Sequence, residues 1–202
     1  MKTWIITLTI CVFFITSLIS AQESSSLRSV QCIQSIDSLK KGRLLNNKLW
    51  ITQDKLRMEY MQEEQVYVMI IANNKAYNFI PSRQFGTVTD LGNDSMENYQ
   101  INPELMQNPQ KLRDYLVLTQ AVRVGEDNLD GHLCDIYQYI EPDTRNTTTL
   151  WVDKKEIFLV KSTTKLVGDI ITVRYKNIVL GKPISKDKFI IPKNVRIEPL
   201  RS

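Results

Sequence analysis

The stretch that most constrains this chain is VYVMIIA, Val66 to Ala72, followed by Asn73-Asn74 and then KAYNFI, Lys75 to Ile80. Two runs rich in β-branched and aromatic residues flank a pair of asparagines that tolerate positive φ. That is the chemistry of a tight β-hairpin. Similar runs follow at Leu116 to Val124, Leu133 to Ile140, Thr148 to Asp153, Glu156 to Leu166, Asp169 to Leu180 and Lys188 to Ile191. Turn residues separate them, among them Gly125-Glu126-Asp127-Asn128, Val167-Gly168-Asp169 and Gly181-Lys182-Pro183. Short strands joined by tight turns build antiparallel sheet. The polar stretch from Gly86 to Asn98 reads as loop.

Upstream, Val30, Cys32 and Ile36 alternate as a strand does, while Leu27, Val30, Ile33 and Ile36 sit three apart as on a helix. We read a strand that turns at Lys40-Lys41-Gly42 into Leu44 to Thr52. One region departs from β character. Asn102-Pro103 and Asn108-Pro109 each place a capping asparagine before a proline at the first helical position. Leu112, Tyr115 and Leu116 then fall at helical spacing, so one or two short helices are expected between Pro103 and Tyr115.

Met1-Lys2, an apolar stretch from Trp4 to Ile19 and the small residues Ser20-Ala21 have the order of an export signal. Cleavage after Ala21 is expected, with a mature chain from Gln22; an uncleaved anchor is the alternative. Ile10 before Cys11 is too large for a lipidation site. Residues 22–202 suit one domain with a sizeable core. The chain is 43% hydrophobic and 24% charged, which excludes disorder as the organising state. The net charge of +4 is spread without a basic block, so a nucleic-acid footprint is not indicated. In an exported chain Cys32 and Cys134 can form a disulfide or stay as buried thiols.

Chemistry-bearing motifs are sparse. His132 is the single histidine, and no cysteine or carboxylate cluster at ligand spacing accompanies it. A Cys-His or Ser-His-Asp arrangement would have to use it, and no Gly-x-Ser-x-Gly elbow is present. Glycine is too scarce for a phosphate loop, with seven in the chain. Sequons at Asn93 and Asn146 matter only in a eukaryotic secretory pathway. Neither an enzyme, a metal nor a cofactor is expected, although a carboxylate-only hydrolase stays formally open. Several strands are apolar on both faces, as at Val66 to Ile71, Ile157 to Val160 and Ile170 to Val173. Either other elements cover both sides, or a curved sheet keeps an apolar face for a ligand.

The segment Leu49-Trp50-Ile51, then Leu56-Arg57-Met58-Glu59, then Val68 to Ala72, Asn73-Asn74, Lys75, Tyr77, Phe79 and Pro81 is an ordered set. It resembles the LolA-like family of outer-membrane lipoprotein-sorting proteins. GHLCDIYQYI, LWVDKKEIFLVKSTT and FIIPKNVRI continue the likeness, which covers Leu44 to Ile197. The match is poor over Gln22 to Leu39, where that family has a longer amphipathic helix. The resemblance implies a mainly β, α+β fold: a curved antiparallel sheet forming a half-open barrel with short covering helices. It implies an exported lipid- or lipoprotein-binding protein, periplasmic or secreted, holding acyl chains on the concave face. It leaves open whether cargo is handed onward to the outer membrane, and allows an envelope protein partner. An envelope interaction or scaffold module of the same fold with a filled core is the alternative. Trp50, Met69, Ile71, Tyr77, Phe79, Tyr137, Trp151 and Phe158 are the large apolar residues expected to line the core or cavity. The resemblance adds Arg57 as a latch whose five donors hold the backbone of a helical lid. Period two places Arg57 with Lys55 and Glu59, away from Leu56, Met58 and Tyr60. A surface arginine paired with a neighbouring glutamate is therefore the other reading.

Overall fold

A computed structural model describes residues 27–91 and 103–200. Residues 1–21, read as an export signal, Asn93 and Asn102, read as a helix cap, lie outside them. The described chain forms a single twelve-stranded sheet with two short helices. In chain order the strands are β1 (Val30–Ser38), β2 (Gly42–Ile51), β3 (Lys55–Gln62), β4 (Gln65–Ala72), β5 (Lys75–Ile80) and β6 (Phe85–Asp90). Helices α1 (Pro103–Gln107) and α2 (Pro109–Leu118) follow. The chain returns to the sheet as β7 (Val122–Leu129), β8 (His132–Ile140), β9 (Thr147–Asp153), β10 (Leu159–Leu166), β11 (Asp169–Leu180) and β12 (Arg196–Pro199). The order across the sheet is β12-β6-β5-β4-β3-β2-β1-β11-β10-β9-β8-β7, which leaves β12 and β7 as the two edges of an unclosed sheet.

Local chemistry sets this order. Asn73 and Asn74 have φ of 53° and 56°, and Glu63 and Glu64 have φ of 50° and 62°. Both pairs adopt the left-handed turn that lets sequential strands fold back tightly. Every pairing is antiparallel except that of β6 with β12. The C-terminal segment arrives there from a distant strand, not through a hairpin, so nothing forces it antiparallel. Pro199 is tolerated because β12 is an edge.

The register sorts side chains onto two faces. On one, Val30, Ile51, Leu56, Ile71 and Ala76 form a transverse row, and Cys32, Leu49, Met58 and Met69 form the next. Met106 of α1 is packed into the same cluster. Leu112 and Leu116 of α2, one turn apart, dock on Leu150 and Val152 of β9. On the opposite face Val68, Ile70 and Phe79 are covered by Val195, with Ile191 and Ile197 beside it. The apolar-on-both-faces reading of β4 thus has a cover on each side.

Five expectations need correction. Gly125 to Asn128, expected as a turn, are paired within β7, and the chain reverses instead at Asp130-Gly131, where φ is 52° and 86°. The stretch Leu116 to Val124 is not one strand: α2 runs through Leu118 because Leu116 is anchored with Leu112, and β7 begins at Val122. Residues 85–90 form β6 where loop was expected, since a polar strand paired on both sides needs no apolar run. Lys188 to Ile191 is not a strand. Lys186–Phe189 is a 3₁₀ turn whose N-cap Ser185 accepts from the Asp187 amide. Strand β10 begins at Leu159, not Glu156, because the turn after β9 extends to Ile157 at φ 49°.

Gly86 shows how closely the C-terminal segment lies. A Cβ there would overlap Phe79 Cβ, and would stand 2.5 Å from the Asn78 carbonyl oxygen and 2.9 Å from Ile197 Cδ1. Gly86→Ala is expected to lower stability by about 1–3 kcal/mol through overpacking against backbone. An unfolding midpoint in urea equal to that of the unsubstituted protein would contradict this close approach.

Candidate functional site

The helix-bearing face carries the larger apolar surface. Val30, Leu49, Ile51, Leu56 and Ala76 are fully buried there, and Met106 reaches down from α1. The helix is held by its C-terminal end: Gln107 Nε2 donates to the Arg28 carbonyl at 3.2 Å, and the Arg28 amide donates to the Gln107 carbonyl at 3.3 Å. Helix α2 starts at Asn108, whose side chain accepts from the amides of Gln110 and Lys111. The Tyr115 and Tyr139 hydroxyls are hydrogen-bonded at 2.6 Å, tying α2 to β8.

Two apolar rows give way to a polar one. Gln34, Asn47, Tyr60 and Tyr67 follow each other across β1 to β4 on this face. Gln34 Nε2 donates to the Tyr175 hydroxyl at 3.3 Å, and Asn47 Nδ2 donates to Gln34 Oε1 at 2.7 Å. Both amides are buried, and Asn47 Oδ1 has no partner. Tyr60 and Tyr67 stack at 5.1 Å, beside a groove of about 210 Å³ that Phe85 also lines. This row was missed from sequence, although Gln34 falls at the inward parity of Val30, Cys32 and Ile36.

The residues expected to line the core or cavity do not share one face. Met69 and Ile71 lie in the apolar rows. Tyr137 lies under α2, and Phe158 is in the main core, edge-on to Tyr175 at 6.0 Å. Trp50, Arg57, Tyr77 and Phe79 point to the opposite face, under or beside the C-terminal segment. Trp151 alternates with Leu150 and Val152 and packs, partly buried, against the main core, with Lys161 Nζ 4.1 Å from its ring centroid. Period two placed each of these residues on a face only relative to its neighbours; which face the helices would cover was not in the pattern.

Arg57 does grip backbone, though not that of the helices. Its Nη1 donates to the Lys188 carbonyl at 2.7 Å, and Nε donates to Glu59 at 2.7 Å. Lys188 Nζ lies 4.6 Å from the Trp50 ring centroid. The guanidinium thus fastens the 3₁₀ turn Lys186–Phe189 to the face opposite α1 and α2. The latch to residues 103–115 is corrected accordingly, and the ion pair with glutamate is present.

His132, Cys134 and Asp153 come together without forming a nucleophile. His132 Nδ1 is 2.9 Å from Asp153 Oδ2. The Cys134 thiol donates to the His132 carbonyl at 3.4 Å, not to the ring. Burial pushes that thiol up to about 11, assisted by Asp153, and burial alone raises Cys32 to about 12. An activated cysteine needs the reverse shift. Both cysteines are free thiols. Among the described residues no three His, Cys, Asp or Glu side chains converge as metal ligands.

No protein-family model and no curated protein matches the chain. Solved structures do. An uncharacterized conserved protein from Thermus thermophilus overlays with a TM-score of 0.57 at 10% identity, covering 90% of this chain and 99% of that one. LprF from Mycobacterium bovis overlays at 0.50 and 14% identity, covering 88% and 94%. The MucA/MucB complex of Pseudomonas aeruginosa gives 0.50 and 14%, covering 86% of this chain and 59% of that one. At such identities the likeness is one of fold. The shared architecture is an unclosed, almost wholly antiparallel sheet with short helices, as the sequence resemblance implied.

Asp153 is the most constrained carboxylate of this region. Burial raises its affinity for a proton, but amide bonds from Glu156 at 2.6 Å and Lys155 at 2.9 Å, with His132, more than offset that. Its folded-state value therefore lies below the ordinary 3.8. The stabilisation it gives is fully present above that ordinary value and is lost as pH falls through the lower folded value. Asp153→Asn is expected to cost about 1–3 kcal/mol at neutral pH. The difference from the unsubstituted protein should shrink when unfolding is followed into acid; a pH-independent difference would remove the carboxylate's role.

Proposed function

We propose that this chain is an exported lipid- or lipoprotein-binding protein of the bacterial envelope. It is read as a binding protein and not as an enzyme. The observation that carries the reading is the pair of apolar rows from Val30 to Ala76 and from Cys32 to Met69, capped by Met106 of the five-residue α1, with the ten-residue α2 docked on β9 of the same unclosed sheet. An open sheet can release such a cover without breaking its own ladder, and a bared apolar row binds hydrocarbon through the same burial that holds Met106 and Leu112. The resemblance of Leu44 to Ile197 to the LolA-like family supports the reading, and an envelope location accords with the export-type segment at the start of the sequence. A second reading, an envelope interaction module with a filled core, draws on the full burial of Met106 and Leu112 against the sheet.

Protein purified from its own envelope should carry acyl lipid at a fixed stoichiometry, seen by mass spectrometry of its organic extract. An extract no richer in lipid than that of a control envelope protein would leave the interaction module standing instead. Because Arg57 fastens the C-terminal segment and not the helices, Arg57→Leu should lower stability by about 1–3 kcal/mol. It should leave the bound lipid unchanged, and a change in lipid content at equal stability would return Arg57 to the lipid site.

A further inference from the structure

A pocket of about 680 Å³ lies where the turn after β9 meets the start of α2. Its volume is within the range of about 300–1,000 Å³ typical of small-ligand sites. Four cations, Arg28, Lys111, Arg113 and Lys155, line it against two carboxylates, Asp114 and Glu156. Both carboxylates are engaged within the protein: Asp114 accepts from Gln110 Nε2 at 2.8 Å, and Glu156 lies 3.7 Å from Arg28 Nη1. Among the described residues no ion pair takes up Arg113 or Lys155. The Asn108 side chain already occupies the amides of Gln110 and Lys111, so the positive field comes from side chains and not from the helix end.

Arg28 connects the pocket to the core. Its Nη1 and Nη2 donate to the carbonyls of Glu156 at 2.7 Å and Ile157 at 3.0 Å. Its guanidinium carbon stands 5.9 Å from the centroid of the Phe158 ring, which is fully buried in the helix-covered core. Its Nε is buried without a partner. A wall of this kind has cations on one side and hydrocarbon on the other. That is what an amphiphile with an anionic head requires.

We propose that this pocket binds a phosphate-type anion, and that in the bound lipid this anion is the headgroup; the headgroup assignment rests on the lipid-binding reading above. The chemistry would be shared by free phosphate, so the test separates the two sources. Lysophosphatidylglycerol and a monoacylglycerol of the same chain length are titrated below their aggregation limits, alongside inorganic phosphate, by calorimetry. The unsubstituted protein is compared with the combined variant Arg113→Glu, Lys155→Glu. The lysophospholipid should bind the unsubstituted protein about tenfold more tightly than the monoacylglycerol, and the variant should lose that preference while keeping monoacylglycerol affinity. Equal affinity for the two acyl compounds, or a preference unchanged in the variant, overturns the anion pocket and leaves lipid binding intact. If neither acyl compound binds, the lipid reading fails. Phosphate binding only to the unsubstituted protein would then keep the pocket as a free-anion site, and its absence would overturn the pocket as well.

Discussion

A sheet that stays open and is apolar on both sides must be covered twice. Strand β4 sets this condition, with Met69 and Ile71 on one face and Val68 and Ile70 on the other, all buried. Leaving either set in water would forfeit roughly 1.5–3 kcal/mol for each side chain. The two covers come from different parts of the chain. Helices α1 and α2, inserted between β6 and β7, lie on one face, and the segment after β11 lies on the other.

The two covers are fastened by different means. The C-terminal segment is clamped by a charged side chain, with Arg57 on the Lys188 carbonyl, Lys188 over Trp50 and Gly86 leaving no room for a methyl group. It then adds β12 to the sheet edge and so becomes part of the ladder. The helices are held by amide pairing between Gln107 and Arg28, by the contact of the Tyr115 and Tyr139 hydroxyls and by apolar docking. Neither helix adds to the ladder. The cover that can leave at least cost to the sheet is therefore the one above the larger apolar surface, which is the physical basis for placing a ligand on that side.

Polarity along the helix-bearing face is graded. Two apolar rows are followed by the buried amides of Gln34 and Asn47 and the stacked rings of Tyr60 and Tyr67. The cationic pocket lies beside the same core, at the start of α2, with Arg28 between them. Hydrocarbon surface bordered by hydrogen-bonding and cationic groups suits an amphiphilic ligand better than a purely apolar one.

Much of the architecture was legible from local chemistry. Asn73-Asn74 pointed to a hairpin because asparagine tolerates the positive φ that such a turn needs, and Asn108-Pro109 announced α2 because a capping side chain before proline satisfies the first free amides. Alternation put Arg57 beside Glu59 and away from Met58. What alternation could not supply is the identity of the covered face, since period two is symmetric between the faces until some other element docks. Hence Met69 and Phe79, alike in sequence as buried strand residues, lie on opposite sides of the sheet. The parallel strand β12, the turn that carries Lys188 to Arg57 and the meeting of Arg28 with Lys155 are contacts between residues far apart in the chain. Sequence determined the apolar strands, the Asn73-Asn74 turn and the capped helix, because each depends on neighbours a few residues away. Tertiary structure alone decided which apolar face is covered by helices, which is clamped by Arg57, and where positive charge collects, because those depend on how a twelve-stranded sheet folds its distant parts over itself.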